Sequence, residues 1–182
     1  YGQREIHTPN IDSLAADGMQ FMQHYAGAPV CAPSRCSFLT GKHTGNGYIR
    51  GNREKLPEGQ LALKEDITTI ADMLSTEGYT SAVIGKWGLG GPGTEGVPQK
   101  HGFNYFFGYL CQRQAHNYYP DHLWRNNEKV LLNGQKYTHD MFTSEAIEFI
   151  EREREGPFFL YLAYTIPHAD LQVPELGEYA DR

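Results

Sequence analysis

Twice in this chain a stretch with helical apolar spacing ends at a glycine and passes straight into a short apolar run, and this succession constrains the fold more than any other feature. In the first, Asp66 caps a helix whose Ile67, Ile70, Ala71 and Leu74 share one face up to Gly78, and Tyr79 to Ile84 follows as a strand. In the second, Phe142, Ala146, Phe149 and Ile150 line one face of a helix ending at Gly156-Pro157, and Phe158 to Thr165 follows. Helix-then-buried-strand, repeated, predicts α/β layering: a sheet flanked by helices. Between the two, Leu123 to Leu132 with Asn126-Asn127 at its middle reads as a hairpin. Nearer the start, Thr8-Pro9 opens a short helix bearing Ile11, Leu14 and Ala15 and closing at Gly18, and the loose alternation from Met19 to Ala26 reads as a strand.

No repeat or low-complexity tract divides the chain, and its 182 residues suit one domain with a real core. The net charge of −6 repels phosphate backbones and anionic lipid surfaces, so neither nucleic acid nor a membrane is an expected partner. The longest apolar runs are far short of the roughly 18 residues a membrane-spanning helix needs. Three cysteines, Cys31, Cys36 and Cys111, cannot close a disulfide framework, and no Cys-x-x-Cys pair is available for zinc.

The densest chemistry lies in Pro29-Val30-Cys31-Ala32-Pro33-Ser34-Arg35-Cys36-Ser37-Phe38-Leu39-Thr40-Gly41. Pro33 suits a first helical turn and Gly41 a helix end, so Ser34 to Thr40 is expected to form about two turns. Cys31 then stands at a helix N-terminus, where free N–H groups and the dipole favour an anion or activate a thiol. Arg35 adds a planar cation suited to tetrahedral oxyanions. The residues by themselves leave two readings open: a nucleophile at an anion site, or a small buried hydrophobe beside a surface arginine.

The same segment resembles the signature of the sulfatase family, in which Cys-x-Pro-Ser-Arg is followed by apolar residues, Thr and Gly. A second family-like segment is Gly78-Tyr79-Thr80-Ser81-Ala82-Val83-Ile84-Gly85-Lys86-Trp87, and a third is Pro167-His168-Ala169 after an apolar strand. The resemblance implies a layered α/β sheet of the alkaline-phosphatase and sulfatase type, with residues 1–182 an incomplete part of one catalytic domain that lacks its first strand and C-terminal portion. It also implies that Cys31 becomes formylglycine, whose hydrated aldehyde attacks sulfur with one hydroxyl and expels sulfate with the other. Arg35 would hold this diol, Lys86 would contact sulfate, and His168 would serve the leaving oxygen as proton donor or hydrogen-bond partner.

Two departures from the family pattern stand out. Gly88 follows Lys86-Trp87 where the family usually has His, which makes His116 the candidate substrate contact or replacement base, with His43 and His101 as weaker options. Sulfatases also bind Ca²⁺ through an Asp-Asp pair on their first strand and an Asp with Asn or His on a later one. Neither pair occurs here, so position 31, as formylglycine, is the one family ligand present, and weak or absent metal binding by this chain alone is expected.

The reaction implied is hydrolysis of a sulfate ester, on a sulfated carbohydrate or an aryl sulfate. Phosphate or phosphonate monoester hydrolysis is the alternative within the superfamily, and an inactive anion-binding fragment is the non-enzyme alternative. By resemblance the location is periplasmic or extracellular, and the lack of an Asn-x-Ser/Thr sequon accords with a bacterial source. An incomplete sheet would leave an edge open to self-association.

Overall fold

The computed structural model describes residues 4–181; Tyr1, where the sequence reading starts, lies outside them. The elements in chain order are α1 (Pro9–Asp17), α2 (Cys31–Thr40), α3 (Ile70–Thr76), β1 (Thr80–Lys86), β2 (Tyr105–Tyr109), β3 (His122–Arg125), β4 (Glu128–Leu131), α4 (Thr138–Glu153) and β5 (Phe158–Ala163). Among the described residues the strands form one sheet in the order β4-β3-β2-β1-β5. β1 runs parallel to both β2 and β5, and the hairpin β3-β4 joins antiparallel through β2. This is the α/β layering the helix-strand pairs predict.

The pleat sorts the core into two layers, because alternate strand residues face opposite sides. Ala82, Ile84, Phe107 and Tyr109 pack with Phe142, Ala146 and Phe149 of α4. Val83 and Phe106 point the other way, onto Ala32, Cys36 and Leu39 of α2 and Ala71 of α3. β1 is therefore covered on both faces, which is why it reads as an unbroken apolar run. At its carboxyl end the three parallel strands close tightly. A Cβ on Gly108 would fall 1.8 Å from the carbonyl oxygen of Gly85, and one on Gly85 would fall 2.2 Å from that of Ala163. Only glycine permits that approach.

The hairpin reading holds: β3 and β4 pair from His122↔Leu131 to Arg125↔Glu128 across Asn126-Asn127. Asn126 takes a left-handed conformation and accepts from the Phe106 amide through Oδ1 at 2.9 Å. Other expectations need correction. Met19 to Ala26 is irregular, and Met19, Phe21, Met22 and Tyr25 are exposed, so the loose alternation finds no strand to pair with. Ile11 and Leu14 of α1 are also exposed. α3 starts at Ile70 rather than after Asp66, because Thr69 and Asp72 form a reciprocal capping box. On α4, Ile150 is exposed, and Thr138 and His139 are buried instead. No helix among the described residues is long and apolar enough to cross a membrane.

Candidate active site

Three loops meet at the carboxyl ends of the parallel strands, the position where open α/β sheets bind ligands. β1 ends in Lys86, β5 leads to His168, and the segment after β2 carries His116. α2 lies over this end with Cys31 as its first residue. Gly41 closes α2 in the left-handed conformation, as its sequence suggests. The helix starts three residues earlier than Pro33 implied. Proline is tolerated throughout the first turn, where amides lack intrahelical partners. That earlier start places Cys31 and Arg35 at i and i+4, on one helix face.

The helix end itself is less open to an anion than the sequence implied. The Ala32 amide donates to Asn52 Oδ1 at 3.0 Å, Pro33 has no N–H, and the Ser34 amide bonds back to the Val30 carbonyl at 3.2 Å. The attraction for an anion therefore comes mainly from side chains. Lys86 Nζ donates to Cys31 Sγ at 3.3 Å, although the lysine is 1% exposed. Arg35 Nη1 donates to the Lys86 carbonyl at 2.5 Å and to the Tyr161 hydroxyl at 3.1 Å, which ties α2 to β1 and β5. Its Nε is buried without a partner. Among the described residues neither cation meets a carboxylate.

Burial pushes the Lys86 ammonium below the ordinary lysine value and the nearby guanidinium of Arg35 adds to this, while the Cys31 thiol opposes it. His168 is lowered by burial and then by the charges of Lys86 and Arg35. His116 is lowered by burial, then by His168 and Lys86. The two imidazoles stack with ring centres 4.0 Å apart. Cys31, Arg35, Lys86 and His168 all line one groove of about 680 Å³. His116 backs His168 rather than lining that groove.

Of the weaker options, His43 lines the groove, but its Nδ1 accepts from the Gly45 amide at 3.0 Å. His101 is fully buried against Trp87, with ring centres 6.4 Å apart, and is a core residue. Gly88 has a structural reason of its own. It adopts φ +72°, and any Cβ would fall 2.0 Å from the Gln112 amide nitrogen, which donates to the Gly88 carbonyl at 3.1 Å. Gln112 thus fills the space that a side chain at position 88 would take, and it belongs to the loop that carries His116.

Sequence reasoning did not find Tyr118, Tyr161, Gln112 or Asn52. Tyr118 is buried, and its hydroxyl accepts from the His168 amide at 2.6 Å while its own amide donates to Gln172 Oε1 at 2.6 Å. It joins the loops after β2 and β5 into one rim. The direction of its hydroxyl is set by tertiary packing, which no local pattern around residue 118 reveals.

A family model described as Sulfatase matches residues 1–181. The chain belongs to the sulfatase family. It is 33% identical to mouse arylsulfatase G over 91% of this chain and 37% of that protein. To pig N-acetylgalactosamine-6-sulfatase it is 32% identical, over 100% of this chain and 40% of that protein. Among solved structures it resembles Ps i-CgsB, with a TM-score of 0.80 and 29% identity over 96% of this chain and 43% of that one. The fold is accordingly the alkaline-phosphatase-like fold of sulfatases. The chain spans about two fifths of the length of the curated relatives it matches.

Sulfatases as a family imply Ca²⁺ and formylglycine. Among the described residues no three His, Cys, Asp or Glu gather to hold a metal ion, and the polar neighbour of Cys31 is an ammonium. A hard dication wants several oxygen ligands. The residues present do not fit one. A modified Cys31 does fit, because its side chain opens on the groove beside two cations that lack carboxylate partners.

Proposed function

We propose that this chain carries the sulfate-ester-hydrolysing centre of a sulfatase, built around position 31. The observation that carries this reading is the buried ammonium of Lys86 3.3 Å from Cys31 Sγ, with no carboxylate among the described residues to neutralise it. A buried cation without a counter-ion is costly, and the cost is recovered when an anion arrives. A sulfate group would stabilise the charged form of Lys86 and receive in return a preorganised charge that need not reorient as negative charge grows on its oxygens.

Each residue has a separate task. Formylglycine at position 31, in its hydrated form, would supply the nucleophilic hydroxyl and a second hydroxyl for release of sulfate. Arg35 holds α2 against β1 and β5, which keeps position 31 over the strand ends. Lys86 faces the sulfate oxygens. His168 serves the ester oxygen from the β5 side, and His116 supports its ring from behind.

For the substrate we propose a sulfated saccharide. The groove contains the paired rings of Phe38 and Tyr161, with centres 5.4 Å apart, an apolar surface on which a sugar ring can rest. The related Ps i-CgsB has been solved in complex with k-i-k-neocarrahexaose, with a TM-score of 0.79 to this chain.

The test is Cys31→Ala in the full-length protein, assayed with p-nitrophenyl sulfate. Turnover should fall on the order of 10³-fold or more with the fold intact by circular dichroism. Undiminished turnover rejects the reading. A preference of the native protein for p-nitrophenyl phosphate moves the assignment to phosphate monoesters. Mass analysis of the tryptic peptide containing Cys31 should show an aldehyde oxygen in place of sulfur.

A further inference from the structure

The groove that holds position 31 continues past it along α2. Cys31, Ser34, Arg35 and Phe38 line it at helical spacing, so one face of that helix is its wall. Beyond the helix end Lys42 and His43 carry the wall on. At about 1.5 Å per residue, α2 puts roughly 14 Å between Cys31 and its last residue, Thr40. The chain has 22 acidic residues, yet among the described residues none lines this groove, whereas Arg35, Lys42 and Lys86 do. A cleft of one sign focuses its field and gathers counter-ions. Lys42 also borders a second hollow of about 330 Å³ together with Arg50, and no acidic residue lines that one either. His43 adds a donor: its Nδ1 accepts from the Gly45 amide at 3.0 Å, so the hydrogen of the neutral ring is on Nε2. We infer that Lys42 and His43 form a second anion subsite, which takes a further sulfate or carboxylate of the same saccharide, so that this protein prefers oligosaccharides with at least two acid groups.

This inference rests on the sulfate-ester reading above and narrows the class of saccharide. Lys86 already faces the reacting sulfate at position 31, and one tetrahedral group cannot bridge both ends of α2. The cation at the far end therefore meets a different charge. Phe38 lies between the two ends, and its ring, paired with that of Tyr161, supplies the surface for a sugar. Along the groove the order is reacting sulfate, sugar ring, second acid group. Sulfate and carboxylate share what the subsite reads, a delocalised anion that accepts hydrogen bonds from an ammonium. Lys42 is exposed, so its contribution is that of a solvated charge pair, smaller than at Lys86 and weakened by salt. Its place is in the choice of substrate, away from the reacting atoms.

The experiment uses the full-length protein carrying Cys31→Ala, which keeps sulfated sugars intact while calorimetry reads their affinity. Three disaccharides serve as probes: neocarrabiose with one sulfate, neocarrabiose with two, and a chondroitin disaccharide with one sulfate and one carboxylate. The doubly acidic sugars should bind at least about fivefold more tightly than the singly sulfated one. Adding Lys42→Gln and His43→Gln should remove that advantage, and Lys42→Arg alone should keep it. An advantage for the doubly sulfated sugar only assigns the subsite to sulfate, and one for the chondroitin sugar only assigns it to carboxylate. Equal affinity for all three overturns the inference, and so does an advantage that survives the loss of Lys42 and His43. Failure of the sulfate-ester reading is recognised separately, as undiminished release of sulfate by the Cys31→Ala protein.

Discussion

Cations on the hairpin side of the sheet and cations at its carboxyl ends keep different company. On the hairpin side, Arg125 pairs with Glu145, and in the loop after β2 the exposed Arg113 pairs with Glu54 at 2.6 Å; on β3 the ring nitrogen Nε2 of His122 lies 2.9 Å from a Glu58 carboxylate oxygen. Trp124 adds its indole N–H to the same Glu58 at 2.6 Å. At the carboxyl ends Lys86 and Arg35, which are more deeply enclosed, meet a thiol, a backbone carbonyl and a phenol. Where charge serves structure it is matched within the chain. Where it is left unmatched and buried, the partner we propose is a ligand, and this contrast supports an anion site more firmly than any one residue does.

The contrast breaks first at Lys86. Lys86→Met keeps the length of the side chain and removes an unpaired buried charge. Turnover of a sulfate ester should fall on the order of 10²-fold or more, while Tm stays level or rises. A variant that lost stability and kept turnover would show that the lysine is structural. At a third location His139 tests a buried group that is held in its neutral form. Its Nε2 accepts from the Thr165 amide at 3.3 Å and lies 2.9 Å from the Thr165 hydroxyl, and burial holds it down at about 4. The unfolded chain binds this proton near the ordinary value of about 6.5. The stability contributed is therefore full above about 6.5 and is lost as pH falls toward 4. Thermal melts should drop by several degrees across that window in the native protein and by less in His139→Phe. The smallest effect belongs to the hairpin side. Arg125→Ala should cost less than about 1 kcal/mol by denaturant melts, since its side chain is half exposed, and should leave turnover unchanged.

The sequence revealed elements wherever local chemistry settles them. Gly41 ends α2, Asn126-Asn127 turns the hairpin, and β1 reads as a strand because both its faces are covered. Thr69 three residues before Asp72 was legible as a cap in the same way, but the equally cap-like Asp66 obscured it. Met19 to Ala26 shows the limit of periodicity, since alternation specifies a strand only when a neighbour exists to pair with it. At the site, Cys31 and Arg35 stood out by their own chemistry, while Lys86 and His168 were named through the resemblance of their segments, because no spacing rule joins residue 31 to residue 86 or 168. The helix start at Cys31 made Cys31 and Arg35 share a face, and Pro33 alone did not reveal it. Asn52, Tyr118 and Tyr161 escaped notice because each acts through one polar atom aimed across a long stretch of chain. The direction of such an atom comes from tertiary packing.

The closure of β1 against β2 and β5 at Gly85 and Gly108 bears on how this protein can change over generations. Neither residue has a side chain with which to touch a substrate, yet a single methyl at either would wedge adjacent strands apart just before Lys86 and upstream of His168. A lineage could vary the loops around the groove and so trade one sulfated compound for another. Those two positions would remain frozen, because the spacing of the reactive groups is set by bare backbone.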